Sequence, residues 1–343
     1  MSPLTSRGLR HRSAPLAKTA MLRFGGYATV RRLFPSRNVA ILRYHAICGP
    51  EGHSYADPSI CVSPAAFEQH VRYLASHYSV LPLPEVVQRL QDRRPLPSNC
   101  VALTFDDGYE DNLAAARTLG LYGLSATFYI TAGCMADGEP FWPAEVRALL
   151  RAIPGPRLEL ATPQSNIQIR LAVESDRRAA VRTVSKLFKA HPIPVRERLR
   201  DQLRAAAGNP PVPSPMLGWD QIREMARLGM TIGAHTLTHP NLPNAGLDDA
   251  TAEIRGSKQR LEDVLGAPVT MFSYPNGGAE RHYTLELQRV VRTAGYAAAT
   301  TSRNGFARLQ SDPYALERLQ VHERLEDLVF ALEVERFVLA PGR

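Results

Sequence analysis

Val101-Ala-Leu-Thr-Phe-Asp106-Asp107-Gly108-Tyr109 is the stretch on which the fold turns. An apolar, β-branched run of this length reads as a buried strand, and it leads directly into two carboxylates and a glycine. In parallel α/β architectures the carboxyl ends of strands are where catalytic groups collect. Adjacent carboxylates repel unless a cation or hydrogen bonds separate their roles. A metal ion does this, with one Asp bound to it and the other left as a base. The plainer alternative is a turn in which an Asp caps the helix that follows. This stretch alone does not choose between them.

Outward from it, short apolar runs alternate with helical patterns. Strands are expected at Val39–Tyr44, Val101–Phe105, Ala126–Thr131, Met230–Ala234, Val269–Ser273, Tyr296–Thr300 and Leu316–Val321. Helices are expected between them, for example at Pro64–His77, Asn112–Leu121, Trp219–Leu228, Asp248–Leu265 and Thr284–Ala294. The alternation predicts an α/β fold, a mostly parallel sheet covered by helices, and seven strands suffice for a barrel. Residues 137–216 break the rhythm. They hold two charged helical stretches, Ser175–Ala190 and Val195–Ala207, preceded by a hairpin of Arg157–Ala161 with Ile167–Leu171 and closed by the Pro-rich Asn209–Pro215. This segment reads as a helical insertion on one edge of the barrel.

The chain of 343 residues is 44% hydrophobic, an ordinary globular composition with enough material for one large core. Its net charge is +8, and residues 1–37 alone hold eight Lys or Arg and no Asp or Glu. The basic character therefore belongs to an N-terminal arm, residues 1–38, and the domain at 39–343 is close to neutral. Such an arm suits contact with an anionic membrane surface, or it is simply a solvated terminus. Nucleic acid is not expected as a partner, because aromatic interleaving is sparse and no nucleic-acid motif is present. The run Met21–Phe34 is amphipathic, weakened as a helix by Gly25 and Gly26. There is no clear signal peptide or transmembrane run, and Cys48, Cys61, Cys100 and Cys134 lack CxxC spacing. These features predict reduced thiols and a location in the cytoplasm or at the inner-membrane periphery.

A second strand ends in His235-Thr-Leu-Thr-His239. Two His four residues apart reach one ion if the segment coils as a helical turn. HxxxH is a weak signal alone. It strengthens because Asp107 is independently offered at a strand end. Three protein ligands leave coordination positions for water and substrate, the layout of a catalytic site. Imidazole with carboxylate suits zinc first, and also nickel, cobalt or iron. A third strand ends in Tyr274-Pro-Asn276-Gly-Gly278, a turn that can aim backbone N–H groups at an oxyanion or can be only a turn.

TFDDG, then HTxxH, then a strand ending in YPNG resembles the polysaccharide deacetylases of carbohydrate esterase family four, the NodB homology domain, over roughly residues 39–323. The resemblance implies a distorted (β/α) barrel of about seven strands. It implies metal-dependent hydrolysis of N-acetyl groups from an N-acetylglucosamine-containing polysaccharide, including exopolysaccharides, with release of acetate. It also implies roles: Asp106 as base, and Asp107, His235 and His239 as ligands of one divalent ion. Where the family motif reads Arg-x-Pro-Tyr, this chain has Ser273 and Asn276. The missing Arg removes the expected partner of Asp106, whereas an oxyanion contact from the Asn276 N–H needs no side chain. For the general acid, Tyr44-His45 resembles the start of the poly-β-1,6-N-acetylglucosamine deacetylase branch, and Leu319-Gln-Val-His322 resembles the Leu-x-His motif of other members. His45, protonated, is the expected proton donor to the leaving amine. Alternatives on the same residues are another metal-dependent amide hydrolase or a non-catalytic glycan-binding protein.

Overall fold

The computed structural model describes residues 6–277 and 282–339. Gly278 and residues 1–5 of the basic arm therefore lie outside the described residues. Seven strands form the frame: β1 (Ala40–Tyr44), β2 (Cys100–Phe105), β3 (Thr127–Ile130), β4 (Thr231–Ala234), β5 (Met271–Ser273), β6 (Ala298–Asn304) and β7 (Leu316–Gln320). Each pairs in parallel with the next, and β7 pairs back onto β1, which closes a seven-stranded barrel in sequence order. All seven overlap the runs expected from sequence. The two-residue strand Ser79–Val80 adds to the start of β2.

The period-2 alternation of each strand sorts its side chains. Leu42, Leu103, Phe105, Phe128, Phe272 and Leu319 point outward into the layer beneath the helices. Ile41, Ala102, Tyr129, Met271, Ala298 and Leu316 fill the barrel interior with Leu83, Val86, Val87 and Leu90. Those last four sit on the helix Leu83–Gln91, which closes the amino-terminal end of the barrel. At Gly233 an added Cβ would stand 2.6 Å from the Tyr129 ring, so the missing side chain on β4 makes room for the tyrosine on β3.

The insertion has a core of its own. Helix Trp142–Ala152, the hairpin Arg157–Ala161 with Asn166–Arg170, and helices Glu174–Ala190 and Ile193–Ala206 pack around Leu149, Leu160, Val184, Phe188, Leu199 and Leu203. Buried Glu145 joins Arg200 and Arg204 at 2.7 Å each. The N-terminal segment is helical over Ser6–Arg23 and Gly26–Leu33, with the break at Gly25, whose φ of 73° belongs to the left-handed region. Both helices lie against the C-terminal ones through Lys18–Asp327 at 2.8 Å and Arg31–Glu333 at 3.2 Å. All four cysteines are buried and free. Among the described residues no helix is long and apolar enough to cross a membrane.

Candidate active site

Because the strands are parallel, their carboxyl ends meet at one mouth, a cavity of about 830 Å³. His45, Asp106, Asp107, His235, His239 and Asn276 all line it. His322 is exposed on the segment after β7 and is not part of the lining. Of the aromatic residues near the strand ends, Tyr109 and Trp142 reach the cavity, whereas Trp219 packs under Arg260 away from it.

Asp107, His235 and His239 offer ligand atoms that all lie within 4.8 Å of one another. Asp107 Oδ1 stands 3.5 Å from His235 Nε2 and 3.3 Å from His239 Nε2. Donors at about 2.0–2.1 Å from a tetrahedral ion stand roughly 3.3 Å apart, so this trio fits a small divalent cation. Three further observations agree. His235 Nδ1 lies 2.7 Å from the Ser273 carbonyl oxygen, to which it donates, which leaves Nε2 as the free lone pair. Burial works to raise the Asp107 pKa, yet its interactions with His235 and His239 prevail and hold it well below the carboxylate range. His239 is pushed down, chiefly by burial, which keeps it in the neutral form that ligation needs.

The loop that carries the histidines is held from three sides. Glu253, from the helix Leu247–Leu265, accepts hydrogen bonds from the N–H groups of Leu237 and Thr238 at 2.8 Å and from the Thr238 hydroxyl at 2.5 Å. Arg196, from the insertion, donates to Thr238 O at 3.1 Å and Thr238 Oγ1 at 2.8 Å. Trp142 Nε1 donates to His239 O at 3.0 Å. Within the loop, the His239 N–H donates to Thr236 Oγ1 at 3.0 Å. These contacts support a strained backbone. Asp107, Thr236, His239 and Asn276 have φ of 78°, 69°, 56° and 69°. They are four of the seven non-glycine residues with positive φ among those described. Each such residue costs on the order of 1–2 kcal/mol, most of all the β-branched threonine. Gly277 is required by contact, since a Cβ there would fall on Ser302 Oγ.

Asp106 has a partner that sequence reading missed. Arg318, on β7 and fully buried, meets it in a two-pronged pair, with Nη1–Oδ1 and Nη2–Oδ2 both 2.7 Å. The guanidinium also donates to Ser273 Oγ at 3.0 Å and lies over the Tyr129 ring. Thus the charge missing at the serine of the third motif is supplied by an arginine two strands along the barrel. Burial alone would raise the Asp106 pKa. The Arg318 charge reverses this and holds it well below the usual range. The signal was present: with His45, Asp106 and Ser273 facing inward, the same alternation places Arg318 inward on β7.

His45 Nε2 lies 3.8 Å from Asp106 Oδ2. Its carbonyl oxygen accepts from Asn112 Nδ2 at 2.8 Å, and Asp111 secures the next turn through the Ile47 N–H at 2.9 Å. Burial pushes the imidazole pKa down to about 4, against the pull of Asp107 and Asp106. The free protein therefore holds His45 neutral near pH 7, whereas the sequence-based scheme begins with it protonated.

The family model for polysaccharide deacetylases matches residues 171–299, the span that holds both histidines and the Tyr274–Gly277 turn. Over that span the chain resembles the polysaccharide deacetylase family. The comparisons point to a hydrolase of the deacetylase kind. The "Putative polysaccharide deacetylase YxkH" of Bacillus subtilis (strain 168) is 22% identical over 298 residues, 86% of this chain and 75% of that protein. Among solved structures, this chain is similar to the Streptococcus pyogenes deacetylase PplD in complex with acetate. There the identity is 20%, coverage is 90% of this chain and 100% of that one, and the TM-score is 0.56. It is similar also to IcaB from Ammonifex degensii, with 18% identity, 87% and 97% coverage and a TM-score of 0.57. A third is a de-N-acetylase from Aggregatibacter actinomycetemcomitans, with 14% identity, 82% and 94% coverage and a TM-score of 0.51. At these identities the likeness to solved structures concerns the fold. Deacetylases of carbohydrate esterase family four depend on a metal ion, and in this chain Asp107, His235 and His239 form a candidate metal site.

Proposed function

We propose that this protein removes N-acetyl groups from an N-acetylglucosamine-containing glycan, with Asp106 as base, His45 as proton donor and a divalent ion, zinc first, on Asp107, His235 and His239. The observation that carries the reading is the pair of carboxylates with opposite surroundings. Asp107 faces two imidazoles at 3.3 and 3.5 Å, and Asp106 faces a guanidinium at 2.7 Å. The ion, when bound, supplies Lewis acidity toward the acetamide carbonyl and a nearby water. Asp106 takes the water's proton as the oxygen attacks the carbonyl carbon. Arg318 fixes the carboxylate's direction and keeps it ionised beforehand. The Asn276 N–H faces the developing oxyanion. The proton has a path of 3.8 Å from Asp106 to His45. From there it reaches the sugar nitrogen as the C–N bond breaks, giving acetate and a free amine.

The deciding experiment measures acetate release from β-1,4- and β-1,6-linked N-acetylglucosamine oligomers by metal-reconstituted wild type beside Asp107→Ala. Release that disappears in the variant, along with bound metal, is the expected result. Metal bound by wild type with no release from any N-acetylated oligomer would refute the assignment.

A further inference from the structure

We infer that the glycan is acidic, with a phosphate or carboxylate group beside the N-acetyl sugar that is received by a row of cations on the insertion. The inference rests on the deacetylase reading and narrows its substrate. Arg182, Lys186 and Lys189 follow i, i+4, i+7 spacing on the helix Glu174–Ala190, and all three line the cavity that holds Asp107, His235 and His239. Arg182 and Lys186 are exposed, and among the described residues neither is paired with a carboxylate. Neighbouring basic side chains differ in this respect. Arg178, one turn earlier, faces Glu174, and Arg147 on the facing insertion helix is paired with Asp57 at 2.5 Å. On the opposite wall Arg43 points its guanidinium at the amide oxygen of Gln320, a neutral partner, at 2.9 and 2.7 Å.

The carboxylates of the cavity are already engaged. Asp57 holds Arg147, Asp106 holds Arg318, and Asp107 belongs to the ligand set. None of them is paired with Arg182 or Lys186. Like charges four residues apart weaken a helix, and cations gathered in one concave wall raise a positive potential. A neutral N-acetylglucosamine chain does nothing to offset this, and its amine product would be repelled. An anionic group offsets it with charge-assisted hydrogen bonds to Arg and Lys. It also anchors the substrate at a distance from the scissile amide, which helps orient it.

The test compares three substrates of the metal-reconstituted protein. One is a neutral N-acetylglucosamine tetramer. The second is an oligomer alternating N-acetylglucosamine with glucuronate. The third is N-acetylglucosamine joined through a diphosphate to a short prenol. Each is assayed for acetate release and, independently, for binding by calorimetry, with wild type and the Arg182→Gln/Lys186→Gln double variant. Wild type is expected to favour an acidic substrate by on the order of ten-fold or more in kcat/KM. That ratio should collapse in the double variant and as salt rises, and whichever acid is preferred names the group. Thermal melts matched between the two proteins exclude misfolding. A preference for the neutral tetramer, or an acidic preference indifferent to both salt and the double variant, would overturn the inference and leave the deacetylase intact. Salt-sensitive binding of an acidic oligomer that the double variant loses, without acetate from any substrate, would uphold the anion site and sink the deacetylase reading.

Discussion

Asp106 and Arg318 show what one residue pair does in this site. A buried carboxylate without a counter-charge would be driven toward protonation and could not serve as a base. The Arg318 fork keeps it ionised and aims it. Replacing Arg318 with Gln is expected to lower kcat on the order of a hundred-fold, because the proposed base loses both its direction and its charge. The pH profile distinguishes this from damage to the fold. Asp106 has a depressed pKa, so activity is present above it and fails as pH falls through it. Without the guanidinium that pKa rises, and the acid limb of kcat/KM should move to higher pH. An acid limb that stays in place would mean that Arg318 serves only packing. Stability should also fall, by about 3 kcal/mol in urea titrations, since the carboxylate is left buried and alone.

At the scale of elements, the His235–His239 loop is a strained turn held by its neighbours. The helix Leu247–Leu265 reaches it through Glu253 and the insertion reaches it through Arg196. Glu253→Ala frees two backbone N–H groups and the Thr238 hydroxyl. Apparent metal affinity, read by competition with a chelator, is expected to fall roughly 10- to 100-fold, as for the loss of supports behind ligands generally. Equal affinity in variant and wild type would show that the loop keeps its shape unaided. The insertion thus has two faces toward the cavity: Arg196 braces a ligand loop, and Glu174–Ala190 supplies the basic wall.

The whole molecule is closed by its ends. Glu333, fully buried near the C-terminus, gathers Arg31, Tyr78 and Arg336. Arg31→Ala should lower the stability of the entire fold by on the order of 2 kcal/mol while leaving kcat unaltered, because the N-terminal helix is tied to the C-terminal one through this contact. A global pH dependence follows from His70, buried against the Tyr44 hydroxyl at 3.3 Å. Burial pushes its pKa down to about 4. Between about 6.5 and about 4 the unfolded chain therefore binds more protons than the folded one, and stability falls as pH drops through that window. The full linkage is up to about 3 kcal/mol. Urea midpoints should decline over this range in wild type, and His70→Gln should flatten the decline. A slope that the variant keeps would assign it to other groups.

Strand positions, the alternation of strand and helix, and the three strand-end clusters were legible in the chain itself. Each depends on local properties: apolar period, turn residues, and carboxylates or imidazoles placed just past a strand. The seven expected strands meet as one barrel for that reason. The N-terminal helices were less legible, since Gly25 and Gly26 break the pattern and the stabilising partners, Asp327 and Glu333, lie some 300 residues away. Arg318 was read as part of a strand and no more. Its pairing with Asp106 spans 212 residues and exists only once the barrel closes β7 onto β1, which pairs with β2. The electrostatic balance of the mouth was equally hidden. Net charge placed the basic excess in the N-terminal arm, whereas burial and ion pairing decide which cations inside the fold remain uncompensated. Local chemistry is written along the chain, but the charge that one residue feels from another depends on distance and dielectric, and both are set by tertiary structure.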